Sequence, residues 1–339
     1  MKERVPYYDI LRGVAIIGVV AIHSSSIGYE SDSKNIDFIA TILWRQLINF
    51  SVPLFLTISG FLLADKKTEC KEDYFFFIRR QLARVLFPYF CWSIVYLGIS
   101  LLDGESIKHA IWRLISFQPV GPFYFILLII QYYLLLPLLK KIANINGLGI
   151  AFLISLISCF VVFYFRYYSE IPLPLFVYGG ASSTWLIFFV LGIYLRRNKV
   201  KINNVQLILG ILLSYFISIG ETFLTYLRFS NIDSAVTQVK ASSFLYSITV
   251  ILFLFQNSNR NIEHRFLAYL GKISFGIYLS HMLFLDLVLG ILNQILPQLS
   301  SFVLIKQIVL LCATLISCII FAFLTKTIDR NMALKYLGQ

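Results

Sequence analysis

The 339-residue chain is 58% hydrophobic and only 14% charged, with mean hydropathy +0.79, whereas a soluble globular chain is nearer a quarter charged. This excludes a soluble globular enzyme and predicts an all-α, polytopic membrane helix bundle. The net charge of +12 then reads as cytoplasmic loop charge and not as a nucleic-acid footprint, and five cysteines without CxxC spacing supply neither a disulfide nor a metal framework.

In chain order, ten spans are predicted, at 8–28, 36–64, 84–102, 122–139, 148–166, 182–196, 205–228, 241–256, 270–296 and 302–325. The first, preceded by Lys2 and Arg4, reads as a retained signal anchor. With the N-terminus inside, inner loops hold 20 Lys and Arg against 7 in outer loops, while Arg12 and Arg45 fall within spans. That bias places both termini in the cytoplasm, and an odd span count would break the alternation. The inner segment from Asp65 to Arg84 is the longest loop, and its basic-aromatic end reads as lying along the inner leaflet. No fixed repeat or linker appears, so one integral-membrane domain, 1–339, is expected.

The first span carries Asp9, Arg12 and His23, and ionisable groups there are costly without work or partners. Arg12 and His23 are eleven residues apart, three turns plus 20°, so they share a face about 16 Å apart along the helix. A phosphate grip and a proton acceptor on one side of a shared tunnel are therefore expected. A neutral imidazole suits general-base work; the bland alternative is a histidine bonded between helices. Ser24, Ser25 and Ser26 follow, but adjacent helical residues diverge, which argues against a Ser/His nucleophile pair. Arg79, Arg80 and Arg84 read either as positive-inside anchors or, with Arg12, as a polyanion grip. In the second span Pro53 predicts a kink, with Arg45, Gln46 and Asn49 before it and Ser59-Gly60 after it. Arg45 and Asn49 line an acceptor cleft or merely satisfy one another. Glu221, an intramembrane carboxylate, is a substrate-site candidate or a pairing partner for Arg45. His281 reads as helix-packing or cavity-lining rather than a second base. No Walker loop, GxGxxG, HExxH or metal-ligand spacing occurs.

Five stretches in order carry a resemblance: YYDILRGVAIIGVVAIH, FSVPLFLTISGFLL, RRQLARVLFPY, YFILLIIQYYLLLPLL and ISFGIYLSH. Together they resemble the bacterial integral-membrane acyltransferase 3 family along the whole chain, in its short form without a fused soluble domain. The resemblance implies O-acylation of a cell-surface or lipid-linked saccharide by cytoplasmic acyl-CoA; acetyl-CoA or another acyl-CoA is the expected co-substrate, and no metal is expected. It implies that Arg12 and His23 are the motif pair, with Asp9, Arg80 and Arg84 supporting. Arg12, Arg79, Arg80 and Arg84 are then expected to hold the donor phosphates, with Ser59 and Tyr133 as further supporting residues. One departure stands at Pro122, Phe123 and Tyr124, where many members have His-Leu-Trp. The partners expected are the lipid bilayer, acyl-CoA and a saccharide acceptor, in the bacterial cytoplasmic membrane; homo-oligomerisation stays open, as does a covalent acyl-enzyme. The rival reading is an exporter of lipid-linked saccharide. Transporters often show two related halves with broken helices at matching positions, and Pro53 has no such counterpart.

Overall fold

The computed structural model describes residues 6–30, 35–169, 173–258 and 264–339. Among the described residues the regular structure is all helical, without a strand. The helices are α1 (Pro6–Ser24), α2 (Ile36–Leu47), α3 (Ser51–Leu63), α4 (Lys71–Leu102), α5 (Ile107–Ile115), α6 (Tyr124–Ile142), α7 (Ile145–Tyr167), α8 (Leu175–Tyr178), α9 (Ser182–Arg197), α10 (Asn204–Phe229), α11 (Ile232–Ala235), α12 (Ala241–Gln256), α13 (Arg265–Lys272), α14 (Ser274–Ile295), α15 (Val303–Ile328) and α16 (Arg330–Tyr336). Among the described residues nine helical segments are long and apolar enough to cross a membrane. The expected span at 241–256 is an apolar helix of only 16 residues.

Two other expectations are corrected. The stretch before Arg84 is not a separate surface segment: α4 runs unbroken for 32 residues, about 48 Å at 1.5 Å per residue, against a hydrocarbon core of about 30 Å. The span expected at 270–296 begins at Ser274, because the chain breaks at Ile273 between α13 and α14.

The helices group into two compact units, Met1–Phe55 with Val200–Thr327, and Leu56–Lys199 with Ile328–Gln339. In the first unit, glycine lets α1 and α13 touch backbone to backbone. A Cβ on Gly13 would lie 2.1 Å from the Leu267 carbonyl oxygen, and one on Gly271 would lie 1.8 Å from that of Asp9. Without a hydrophobic drive between helices in lipid, such small-residue contacts supply the packing. Ser214, Ser218 and Thr222, four residues apart, put one polar stripe of α10 against α12, where Ser214 meets Thr249 at 3.2 Å and Ser218 meets Ser243 at 3.2 Å.

In the second unit, Gly192 approaches the Thr57 carbonyl and Gly60 that of Phe189, where added Cβ atoms would sit at 2.0 and 2.2 Å. At one end of this unit, Lys140 Nζ pairs with Glu69 at 2.6 Å and Arg196 with Asp65 at 2.7 Å. These loops are three that charge counting places on the same side.

Candidate active site

Local chemistry shapes the end of α1. Ser24, Ser25 and Ser26 donate back to the carbonyls of Ala21, Ile22 and His23 at 3.2, 2.9 and 2.8 Å. They satisfy carbonyls that the helix leaves open, so these hydroxyls serve the backbone. The chain then tightens into a 3-10 turn, Ser25–Glu30. His23 is left half-buried on the last turn of α1, its ring centroid 5.2 Å from that of His281 on α14.

His281 is fully buried. Its Nδ1 lies 2.7 Å from the Tyr278 carbonyl and 3.2 Å from that of Ile277. Carbonyls only accept, so Nδ1 carries the proton and Nε2 is a bare acceptor. That Nε2 is buried without a hydrogen-bond partner. The structure thus pairs the two histidines that sequence spacing leaves far apart.

The second span supplies the adjoining polar groups. Pro53 has no N–H, and its ring would clash with the carbonyl four residues back, that of Asn49. The predicted kink is accordingly a full break at residues 48–50, between α2 and α3. Tyrosines donate to carbonyls in the last part of α2: Tyr215 to Leu43 at 2.9 Å and Tyr246 to the terminal Leu47 at 2.8 Å. Arg45, Gln46 and Asn49 sit on this break. Arg45 Nη1 donates to Asn49 Oδ1, and Asn49 Nδ2 donates to Gln46 Oε1 at 2.9 Å and Ser243 Oγ at 3.3 Å. Arg45 lies within electrostatic range of His23 and of Lys240.

Lys240 was invisible as a site residue in the sequence, where it reads as an outer-loop charge. It is only 5% exposed. Its Nζ donates to the Ser218 carbonyl at 3.1 Å, the Ala235 carbonyl at 3.2 Å and Thr222 Oγ1. Burial pushes the ammonium down to about 7; the Glu221 carboxylate opposes this and the Arg45 charge adds to it. Glu221 accepts from the Ser242 N–H at 3.3 Å, and its charge acts on Lys240, not in an ion pair with Arg45 as the sequence allowed.

Arg12 lies elsewhere. It pairs with buried Asp9 at 3.8 Å. On the stripe between Arg12 and His23, Ile16 is fully buried and Val19 is 5% exposed. Both lie on the face that Arg12 and His23 share, where a tunnel is expected. Arg79, Arg80 and Arg84 belong to the second unit, exposed on α4 and without an ion pair among the described residues. Ser59 is half-buried there, and Tyr133 meets Phe77 edge-on with centroids 6.0 Å apart. Among the described residues no group of three or more His, Cys, Asp or Glu is disposed to hold a metal.

The model of the acyltransferase 3 family, described as an acyltransferase domain, matches residues 5–326. The chain belongs to that family. This acyltransferase is also 25% identical over 299 residues, 81% of this chain and 80% of the relative, to "Putative membrane-bound acyltransferase YfiQ" of Bacillus subtilis (strain 168). No solved structure matches it. Family and helices together make the protein a multi-pass membrane acyltransferase.

Proposed function

We propose that the protein moves an acyl group, acetyl in the simplest case, from cytoplasmic acyl-CoA to a hydroxyl of a cell-surface or lipid-linked saccharide in a bacterial cytoplasmic membrane. The observation that carries this reading is His23, half-buried in a membrane helix, beside a second imidazole and within range of Arg45. An intramembrane imidazole with polar neighbours is a functional group by default, and in an acyltransferase its task is proton transfer. His23 accepts the acceptor hydroxyl's proton as that oxygen attacks the thioester carbonyl. The carbon–sulfur bond then breaks, and the coenzyme A thiolate leaves and takes up a proton.

Support for the donor comes from charge. Arg79, Arg80 and Arg84 are exposed and free of ion pairs among the described residues, and guanidinium groups bind phosphate oxygens bidentately. Arg80 and Arg84, four residues apart, share a face of α4. Arg12 enters this reading only through the family motif.

Purified protein in bilayers, incubated with radiolabelled acetyl-CoA and cell-surface glycan, tests the reading. Label in the glycan supports acyl transfer. Movement of unlabelled saccharide across the bilayer, with no label incorporated, would support the exporter instead.

A further inference from the structure

Among the described residues, the break at residues 48–50 gathers more hydrogen-bond donors than acceptors. Gln46 is fully buried, and its Oε1 accepts from Asn49 Nδ2 at 2.9 Å and from Ser218 Oγ at 2.8 Å. The amide orientation is thereby set, and Nε2, with two N–H groups, is buried without a partner. Of its five N–H donors Arg45 gives one to Asn49 Oδ1 and has the Tyr29 hydroxyl as a further hydrogen-bonding neighbour, and no carboxylate lies within ion-pair distance of it among the described residues. The Tyr29 hydroxyl has Ser25 and Arg45 as hydrogen-bonding neighbours.

Among the described side chains, charge is lopsided in the same direction. Arg45 and Lys240 bring two cations, against the half-buried Glu221; Asp233, near Tyr29, is exposed. Buried donors without acceptors are costly, more so when charged, and cations at membrane depth need a counter-charge. A neutral sugar hydroxyl answers the first demand only. An anion with several oxygens answers both.

We infer that Arg45, Gln46 and Lys240 form a binding site for an anionic group, phosphate or carboxylate, carried by the acyl acceptor. This rests on the acceptor being bound beside His23, as in the function proposed above. Arg45 and Gln46 supply direct donors, and Lys240, whose three bonds are spent on protein acceptors, supplies charge. The site orients the acceptor by a group that does not react, which leaves a hydroxyl for His23.

The test is binding of glucose 1-phosphate, glucuronate, inorganic phosphate and glucose to the full chain in nanodiscs, by calorimetry. The expected result is that at least one anionic sugar binds about tenfold or more tightly than glucose, and that Arg45→Gln removes most of that preference. Gln46→Glu, nearly isosteric, puts oxygen where the unpaired donors stand and weakens the anion too, which keeps the test available should Arg45→Gln misfold. Preference for glucose 1-phosphate with competition by inorganic phosphate assigns a phosphate; preference for glucuronate assigns a carboxylate. Equal binding of glucose and both anionic sugars, or anion binding unchanged in a folded variant, overturns the site. Glycan labelling run in parallel separates the two ideas: anion binding without any labelling defeats the transferase reading alone, and labelling without anion preference defeats this site alone.

Discussion

At the residue scale, the functional weight falls on side chains whose polar atoms have no structural employment. The serines after His23 are occupied by helix carbonyls, and Arg113 by Glu105, Ser100 and Gln118; neither group is available to a substrate. Lys240 is the informative exception, since it is fully bonded yet sits at the wrong dielectric for its charge. Its ordinary value of 10.5 falls to about 7 in the fold. Between those values the unfolded chain binds more protons than the folded one, so stability rises with pH through that window, and the burial penalty is complete below about 7. Thermal midpoints of the wild type measured from pH 7 to 9.5 should climb relative to those of Lys240→Met. Anion affinity should move the other way, weakening above about 7 as the ammonium discharges, and Lys240→Arg should flatten that dependence. Glu221 and Arg45 are the charged neighbours that set the window.

At the element scale, Pro53 and the glycines do the shaping. Pro53→Ala restores an N–H and removes the clash that opens residues 48–50, so α2 should extend toward α3. The expected outcome is stability equal to or above wild type, read as the thermal midpoint, with acceptor KM raised as Arg45, Gln46 and Asn49 are displaced. Gly271→Ala and Gly192→Ala each drive a Cβ into a backbone carbonyl, at 1.8 and 2.0 Å, and should cost about 1–3 kcal/mol as overpacking does, seen as a lowered midpoint. Much of this architecture was legible beforehand because spans declare themselves by apolar length, and Pro53 declared a defect. The break at Ile273 carries no proline to announce it, only the adjoining Gly271 and Lys272. The neighbourhood of His23 was legible only in part: helical spacing relates residues on one helix, as with Arg12, but is silent about which helix faces it. His281 and Lys240 lie more than two hundred residues away in sequence, and only folding brings the first of them to the imidazole and the second to Arg45.

At the scale of the whole molecule, positive charge and ion pairing agree on one point. The loops bearing Asp65, Glu69, Lys140 and Arg196, all assigned by charge to the same side, are tied together in the second unit. Orientation follows from the charge bias as an expectation: the exposed Cys70 should react with a membrane-impermeant maleimide in inverted vesicles and not in right-side-out cells. Membership of the acyltransferase family gives the chemical class, while the paired imidazoles and the donor-rich break suggest where the acceptor is held. The central claim is that His23 takes the acceptor's proton. Its most direct test is the rate of label transfer from acetyl-CoA to glycan by His23→Gln, in protein shown to be folded and still able to bind the donor. A fall of about 10²- to 10⁴-fold with donor binding intact is predicted; transfer at the wild-type rate would contradict it.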